Sequence, residues 1–183
     1  MATSLTIFFY CCSRIVRRIL ALSDTHGYWD KALIPYIEAA DEIWHAGDIG
    51  DLGPFLSWCN NKTLRMVWGN IDTINLRTLF SETLYFKCES LHVCMVHIAG
   101  KAHKHPQSVK AFLNQNPTDI LVCGHSHMCQ IAQNLPYSRW FINPGACGKE
   151  GFHRIRTAVQ FAIKDAQLLN VEVIEFGKRA LSL

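Results

Sequence analysis

Apolar runs of strand length recur along the chain, and in its first half they alternate with stretches of helical spacing. "RRILALSD" reads as a buried strand ending on Ser23-Asp24, and "YWDKALIPYIEAA" has helical spacing that Pro35 is expected to kink or restart. "DEIWHAGD" predicts a second strand closing in a Gly-Asp turn, "LGPFLSWCN" a short helix, and "TLRMVWGN" a third strand ending on Gly69-Asn70. Alternation of this kind is the pattern of βαβ units and a largely parallel sheet.

The texture then changes. "SETLYFKCESLHVCMVHI" predicts a hairpin turning near Glu89-Ser90 and leading to His97, "PQSVKAFLNQN" a helix with Pro106 at its start, and "TDILVCGH" another buried strand. "CQIAQN", "RWFINPG", "TAVQFAIKD" and "LLNVEVIEF" follow as strands separated by turns. The expected fold class is α/β, an αββα sandwich of two stacked mixed β-sheets flanked by helices.

Composition narrows this picture only a little. With 183 residues, 49% hydrophobic and 18% charged, the chain suits one globular domain over residues 17–183. Residues 1–16 are expected to be an N-terminal extension, because Leu5–Cys12 is too short to cross a bilayer and its arginines follow the apolar stretch. The net charge of +3 is spread along the chain, which is a weak argument for nucleic acid and suits a small anionic substrate; neither nucleic acid nor a membrane is an expected partner. Eight cysteines lie mostly within apolar runs and form no CxxC pair, so they are expected to be buried thiols of a cytoplasmic protein.

The candidate chemistry sits at the carboxyl ends of the predicted strands, where ligands collect in open α/β sheets. These residues are Asp24 and His26 ("SDTHG"), Asp48 ("HAGDIG"), Asn70 ("WGNID"), His97 ("MVHIAG"), and His125 and His127 ("CGHSH"). Taken singly, Asp24 reads as a helix N-cap, Asp48 and Asn70 as turn residues after glycine, and His97 as a core histidine. Their joint placement points instead to metal. Imidazoles and carboxylates without thiolate suit Mn²⁺, Fe, Zn²⁺, Ni²⁺ or Co²⁺ rather than Ca²⁺. Seven ligands exceed one tetrahedral ion, so two ions sharing a carboxylate are expected, with Asp48 as the bridge.

The ordered series D-x-H, G-D, G-N-x-D, lone His and G-H-x-H resembles the calcineurin-like metallophosphoesterase superfamily, and within it the small single-domain phosphodiesterases of bacteria and archaea. Here it reads Asp24-Thr25-His26, Gly47-Asp48, Gly69-Asn70-Ile71-Asp72, His97 and Gly124-His125-Ser126-His127, and "NPGAC" resembles the family's N-P-G-S segment. The resemblance implies one divalent ion on Asp24, His26, Asp48 and His127, and another on Asp48, Asn70, His97 and His125. Manganese is the first expectation, with Zn, Ni, Fe, Co and Mg as alternatives. It further implies in-line attack of a metal-bridging hydroxide on phosphorus, Asp48, Asn70 and His97 forming the catalytic core and Asn70 also contacting the phosphate.

Two departures qualify the expected activity. Ile71 stands where many members carry a histidine that protonates the leaving group. After His97, Ile98-Ala99 intervene before Gly100, and Lys101, His103, Lys104 and His105 become candidate substrate-binding residues. Phosphodiesters are therefore the preferred substrate class, ahead of monoesters. The alternative from another class is a non-catalytic scaffold, as in the retromer subunit of the same fold. Exposed sheet edges leave a homodimer open.

Overall fold

Arg17–Leu22 forms strand β1, whose last four residues are buried. The computed structural model describes residues 16–179; the expected extension, with Cys11-Cys12, lies outside them except for Val16. After β1, Asp30 accepts a hydrogen bond from the Ala32 N–H (3.0 Å) and starts a 3-10 turn, Lys31–Leu33. The chain restarts as α1, Ile34–Ala39, with Pro35 in its first turn, where a missing N–H leaves no hydrogen bond unmade. β2 (Glu42–His45), α2 (Phe55–Trp58), β3 (Thr63–Met66) and α3 (Ile74–Leu79) follow.

The hairpin of β4 (Thr83–Cys88) and β5 (Leu91–Val96) turns at Glu89-Ser90, with Cys88 opposite Leu91. α4 (Gln107–Gln115), β6 (Thr118–Val122), β7 (Cys129–Gln133), β8 (Ser138–Pro144), β9 (Ile155–Lys164) and β10 (Gln167–Lys178) complete the described residues. One sheet has the order β10-β9-β1-β2-β3, with β1, β2 and β3 parallel; the other has the order β4-β5-β6-β8-β7, with β5, β6 and β8 parallel.

Three apolar layers hold these elements in an αββα sandwich, as the strand pattern predicts. Between the sheets, Ile19, Ala21, Trp44 and Phe161 of the first meet Val93, Met95, Ile120 and Ile142 of the second. Trp44 is fully buried there, edge-on to Phe86 and Phe161, and its indole N–H donates to Glu42 (3.0 Å). Outside the first sheet, Leu20, Leu22 and Ile43 pack under Ile37 of α1, Phe55 of α2 and Leu76 of α3. Outside the second, Cys94, Leu121 and Phe141 pack under Val109 and Leu113 of α4. Alternate strand residues face opposite layers because successive side chains point to opposite faces of a sheet.

α3 is the element that periodicity does not predict. Of its three large apolar residues, Leu76 is buried while Ile74 and Leu79 stay exposed, so no single apolar face marks it. Of the six described cysteines, all free, five are buried and Cys129 is exposed. Burial pushes the thiols of Cys59, Cys88, Cys94 and Cys147 up to about 12, which keeps them protonated and inert. No helix among the described residues is long and apolar enough to cross a membrane.

Candidate metal centre

The parallel registers place Leu22 beside His45 and His45 beside Met66, so β1, β2 and β3 end side by side. Their pairing continues into the loops: the N–H groups of Asp24, His26 and Gly27 donate to the carbonyls of Gly47, Asp48 and Ile49 (3.0, 3.0 and 2.7 Å). In the second sheet, the Gly124 N–H after β6 donates to the carbonyl of His97 after β5 (3.0 Å). The loop after β8 crosses between the sheets, where the Cys147 and Gly148 N–H groups donate to Ser23 and Asp24 (2.9 and 3.0 Å).

Five of the seven expected ligands hold left-handed backbone: Asp24 (φ 53°), His26 (50°), Asp48 (54°), His125 (67°) and His127 (56°). Such conformations cost on the order of 1 kcal/mol or more per non-glycine residue and cluster at functional sites. Here they turn the side chains inward at the strand ends. Gly47, at φ +94°, makes room for this, since a Cβ there would lie 2.7 Å from the His97 ring.

All seven side chains converge. Atoms of Asp24, His26, Asp48 and His127 lie within 4.8 Å of one another, as do those of Asp48, His97 and His125, and Asp48 belongs to both groups. His127 Nε2 is 3.2 Å from Asp24 Oδ1, and His26 Nε2 is 3.8 Å from Asp48 Oδ2. His97 Nε2 is 3.3 Å from Asp48 Oδ1 and 3.1 Å from Asn70 Oδ1. Asp24 is no helix cap: both its oxygens accept the His125 N–H (3.2 and 3.1 Å). Nor does Asp48 close a local turn, since its Oδ1 accepts the Ile71 N–H (3.0 Å).

Chemistry and spacing both fit divalent ions. With bonds of about 2.1 Å at tetrahedral or octahedral angles, ligand atoms lie roughly 3.0–3.4 Å apart, close to most of these separations. His97 Nδ1–H donates to the Ala46 carbonyl (2.8 Å), which leaves Nε2 facing the oxygens of Asp48 and Asn70, three acceptors that a cation would reconcile. His26 Nε2 and His127 Nδ1 are buried without a hydrogen-bond partner. Without a cation, burial opposes charge on both Asp48 and His97, yet a hydrogen bond from a protonated His97 Nε2 and the mutual attraction hold Asp48 below the usual carboxylate range and raise His97 above the usual imidazole one.

Residues outside the expected set hold the loops. His45 is fully buried: its Nδ1 accepts the Gly47 N–H (3.2 Å), its Nε2–H donates to Thr25 Oγ1 (2.9 Å), and that hydroxyl donates to the Ile49 carbonyl (3.0 Å). Burial lowers its pKa to about 4 despite nearby Asp72 and Asp24, so the ring is neutral. Asp72 accepts the N–H groups of Gly50 and Gly69 (both 2.8 Å), while Arg77 of α3 donates to the Asp72 and Asn70 carbonyls (both 2.8 Å). Asn143 donates to the Gly124 carbonyl (2.8 Å) and accepts the Gly145 N–H (2.9 Å). The G-N-x-D and N-P-G patterns contain Asp72 and Asn143, but only long-range contacts reveal what they bind. His153 lies against His127, with ring centroids 5.4 Å apart and a hydrogen bond to the Gly148 carbonyl (3.1 Å), a proximity no local signal announces.

The segment after His97 is a tight turn in which Lys101 and Lys104 exchange backbone hydrogen bonds (3.1 and 2.9 Å). Lys101, His103 and Lys104 are exposed. His105 is buried beside Tyr137 and Phe141, and its Nδ1–H donates to the Ala99 carbonyl (2.8 Å). His92 is exposed on β5 and stacks on Tyr85.

The chain is 32% identical over 117 residues to a Mycoplasma pneumoniae protein described as "Probable metallophosphoesterase", covering 61% of this chain and 68% of that protein. Its fold is similar to a novel archaeal phosphodiesterase (TM-score 0.65, 20% identity, 87% and 99% of the two chains). It is also similar to Vps29 of Chaetomium thermophilum (TM-score 0.64, 14% identity, 88% and 97%). The family model of the calcineurin-like phosphoesterase superfamily domain matches residues 18–166, from the first strand to the turn after β9. Because that match spans every loop that carries an expected ligand, the resemblance read from the motifs is membership: this chain belongs to the calcineurin-like phosphoesterase superfamily.

Proposed function

We propose that the chain is a phosphodiesterase that works with two divalent ions, manganese first among them. The observation that carries this reading is the position of Asp48, whose Oδ2 faces His26 and whose Oδ1 faces His97, so that one carboxylate belongs to both ligand groups. Asp24, His26, Asp48 and His127 would hold one ion, and Asp48, Asn70, His97 and His125 the other. When bound, such a pair supplies an acidified water and neutralises phosphoryl oxygens.

The remaining work falls to the chain's own groups. The Ala46 carbonyl fixes the His97 tautomer, and the His45–Thr25 pair ties the first two loops together. Asn70 stands at the outer edge of the second group, where its amide can orient a phosphoryl oxygen. Ile71 supplies no proton, so leaving groups that depart as stable anions are favoured, which suits diesters of acidic alcohols. Lys101, His103 and Lys104 are the exposed groups after His97 that would meet a substrate's outer part.

The scaffold alternative has one observation on its side. Ile71 is 45% exposed beside Asn70, an apolar surface where a proton donor would stand. Mn²⁺-dependent hydrolysis of bis-p-nitrophenyl phosphate, measured against p-nitrophenyl phosphate, decides between the two. The diester is expected to turn over faster, and Asp48→Asn is expected to lower that rate at least about a hundredfold. If two Mn²⁺ bind and neither ester is hydrolysed, the catalytic reading is wrong and the scaffold replaces it.

A further inference from the structure

A cavity of about 380 Å³ opens beside the second ligand group, with Asn70 and His97 in its wall. That size lies within the range of pockets that hold small molecules, roughly 300–1,000 Å³. Most of its remaining wall is carbon: Trp68 after β3, Val96 at the end of β5, Ile98, and Val109 and Phe112 on α4. Ile98 directly follows His97 and is 42% exposed, an apolar side chain left in water at the cavity's border.

Charge restricts what can enter. Among the lining residues Glu82 is the one ionisable carboxylate and none is lysine or arginine; the Arg77 guanidinium lies over the Trp68 ring (4.5 Å) but is engaged by the Asp72 and Asn70 carbonyls, and Thr83 and Ser108 add only hydroxyls. A second anionic group would therefore be repelled, while an uncharged substituent would gain contact with two aromatic side chains. A phosphoryl group held at Asn70 and His97 carries its ester substituents within reach of this space, because the same two residues border both.

We infer that the cavity receives one ester substituent of the substrate, an uncharged planar aromatic group, and so selects aromatic diesters over small alkyl esters. This rests on the phosphoesterase reading. The test is a calorimetric titration of the full Mn²⁺-loaded chain with phenylphosphonate and with methylphosphonate, two non-hydrolysable anions that differ in the ring. Phenylphosphonate is expected to bind at least about tenfold more tightly, since even single methylene contacts in apolar pockets reach that factor. Ser108→Trp, at an exposed position in the first turn of α4, fills the cavity and should abolish the preference while leaving methylphosphonate affinity unchanged.

Equal affinity of the unsubstituted chain for the two anions overturns the cavity's role and leaves the phosphoesterase reading standing. A preference that survives Ser108→Trp also overturns it, because the ring then binds elsewhere. If neither anion binds the metal-loaded chain, both readings fall. The wild-type comparison decides the matter even if Ser108→Trp does not fold.

Discussion

In the proposed reading, the Ile71 side chain sets the scope of the site without touching its scaffold. Its backbone N–H serves Asp48, a contact any residue but proline can make, while its side chain stands partly exposed beside Asn70. Ile71→His should therefore keep the site and add a proton donor. Hydrolysis of a diester with an alkyl leaving group is expected to rise at least about tenfold relative to bis-p-nitrophenyl phosphate, read as the ratio of kcat/KM values; an unchanged ratio would deny that position a role. His45 makes the opposite case, a side chain whose neutrality the fold depends on. Its pKa is about 4 when buried against an ordinary 6.5, so below pH 6.5 the unfolded chain takes a proton that the folded chain refuses. Its contribution is intact above pH 6.5 and is lost as pH falls through about 4. In metal-free protein this amounts to roughly 3 kcal/mol, visible in urea denaturation midpoints across that interval, and His45→Gln should flatten the dependence.

At the scale of elements, α3 links core to site. Leu76 anchors it under the first sheet, and Arg77 one residue later holds the carbonyls of Asp72 and Asn70. Leu76→Ala is expected to cost about 3 kcal/mol through the cavity it leaves, measurable as a lower urea midpoint. Arg77→Ala should act differently, loosening the Asn70 loop and weakening Mn²⁺ binding at one of two sites by about tenfold while the other holds. Calorimetric titration with two resolved binding constants would show it, and equal weakening of both would contradict the division into two ligand groups.

For the whole molecule, two buried carboxylates and several imidazoles meet where both sheets end, and among the described residues no lysine or arginine pairs with Asp24 or Asp48. Bound cations would supply the missing charge. Mn²⁺ at one hundred times Kd is expected to stabilise the fold by about 2.7 kcal/mol per site, read as a raised Tm that a chelator reverses. No change in Tm at saturating Mn²⁺ would speak against a metal centre.

Much of this was legible before any coordinates. Strands were readable because burial on both faces leaves continuous apolar runs, and the expected ligands because each follows such a run, as Asp24 follows "ILALS" and His125 follows "ILVCG". The hairpin turn at Glu89 and the restart at Pro35 declared themselves through local chemistry. α3 did not, since burying only Leu76 leaves no periodic face. Tertiary structure alone decided that His45 grips Thr25, and that His105 turns into the core while Trp68 and Phe112 wall one cavity. Residues far apart in the chain make each of these contacts, and their distances depend on how two sheets stack rather than on any local pattern.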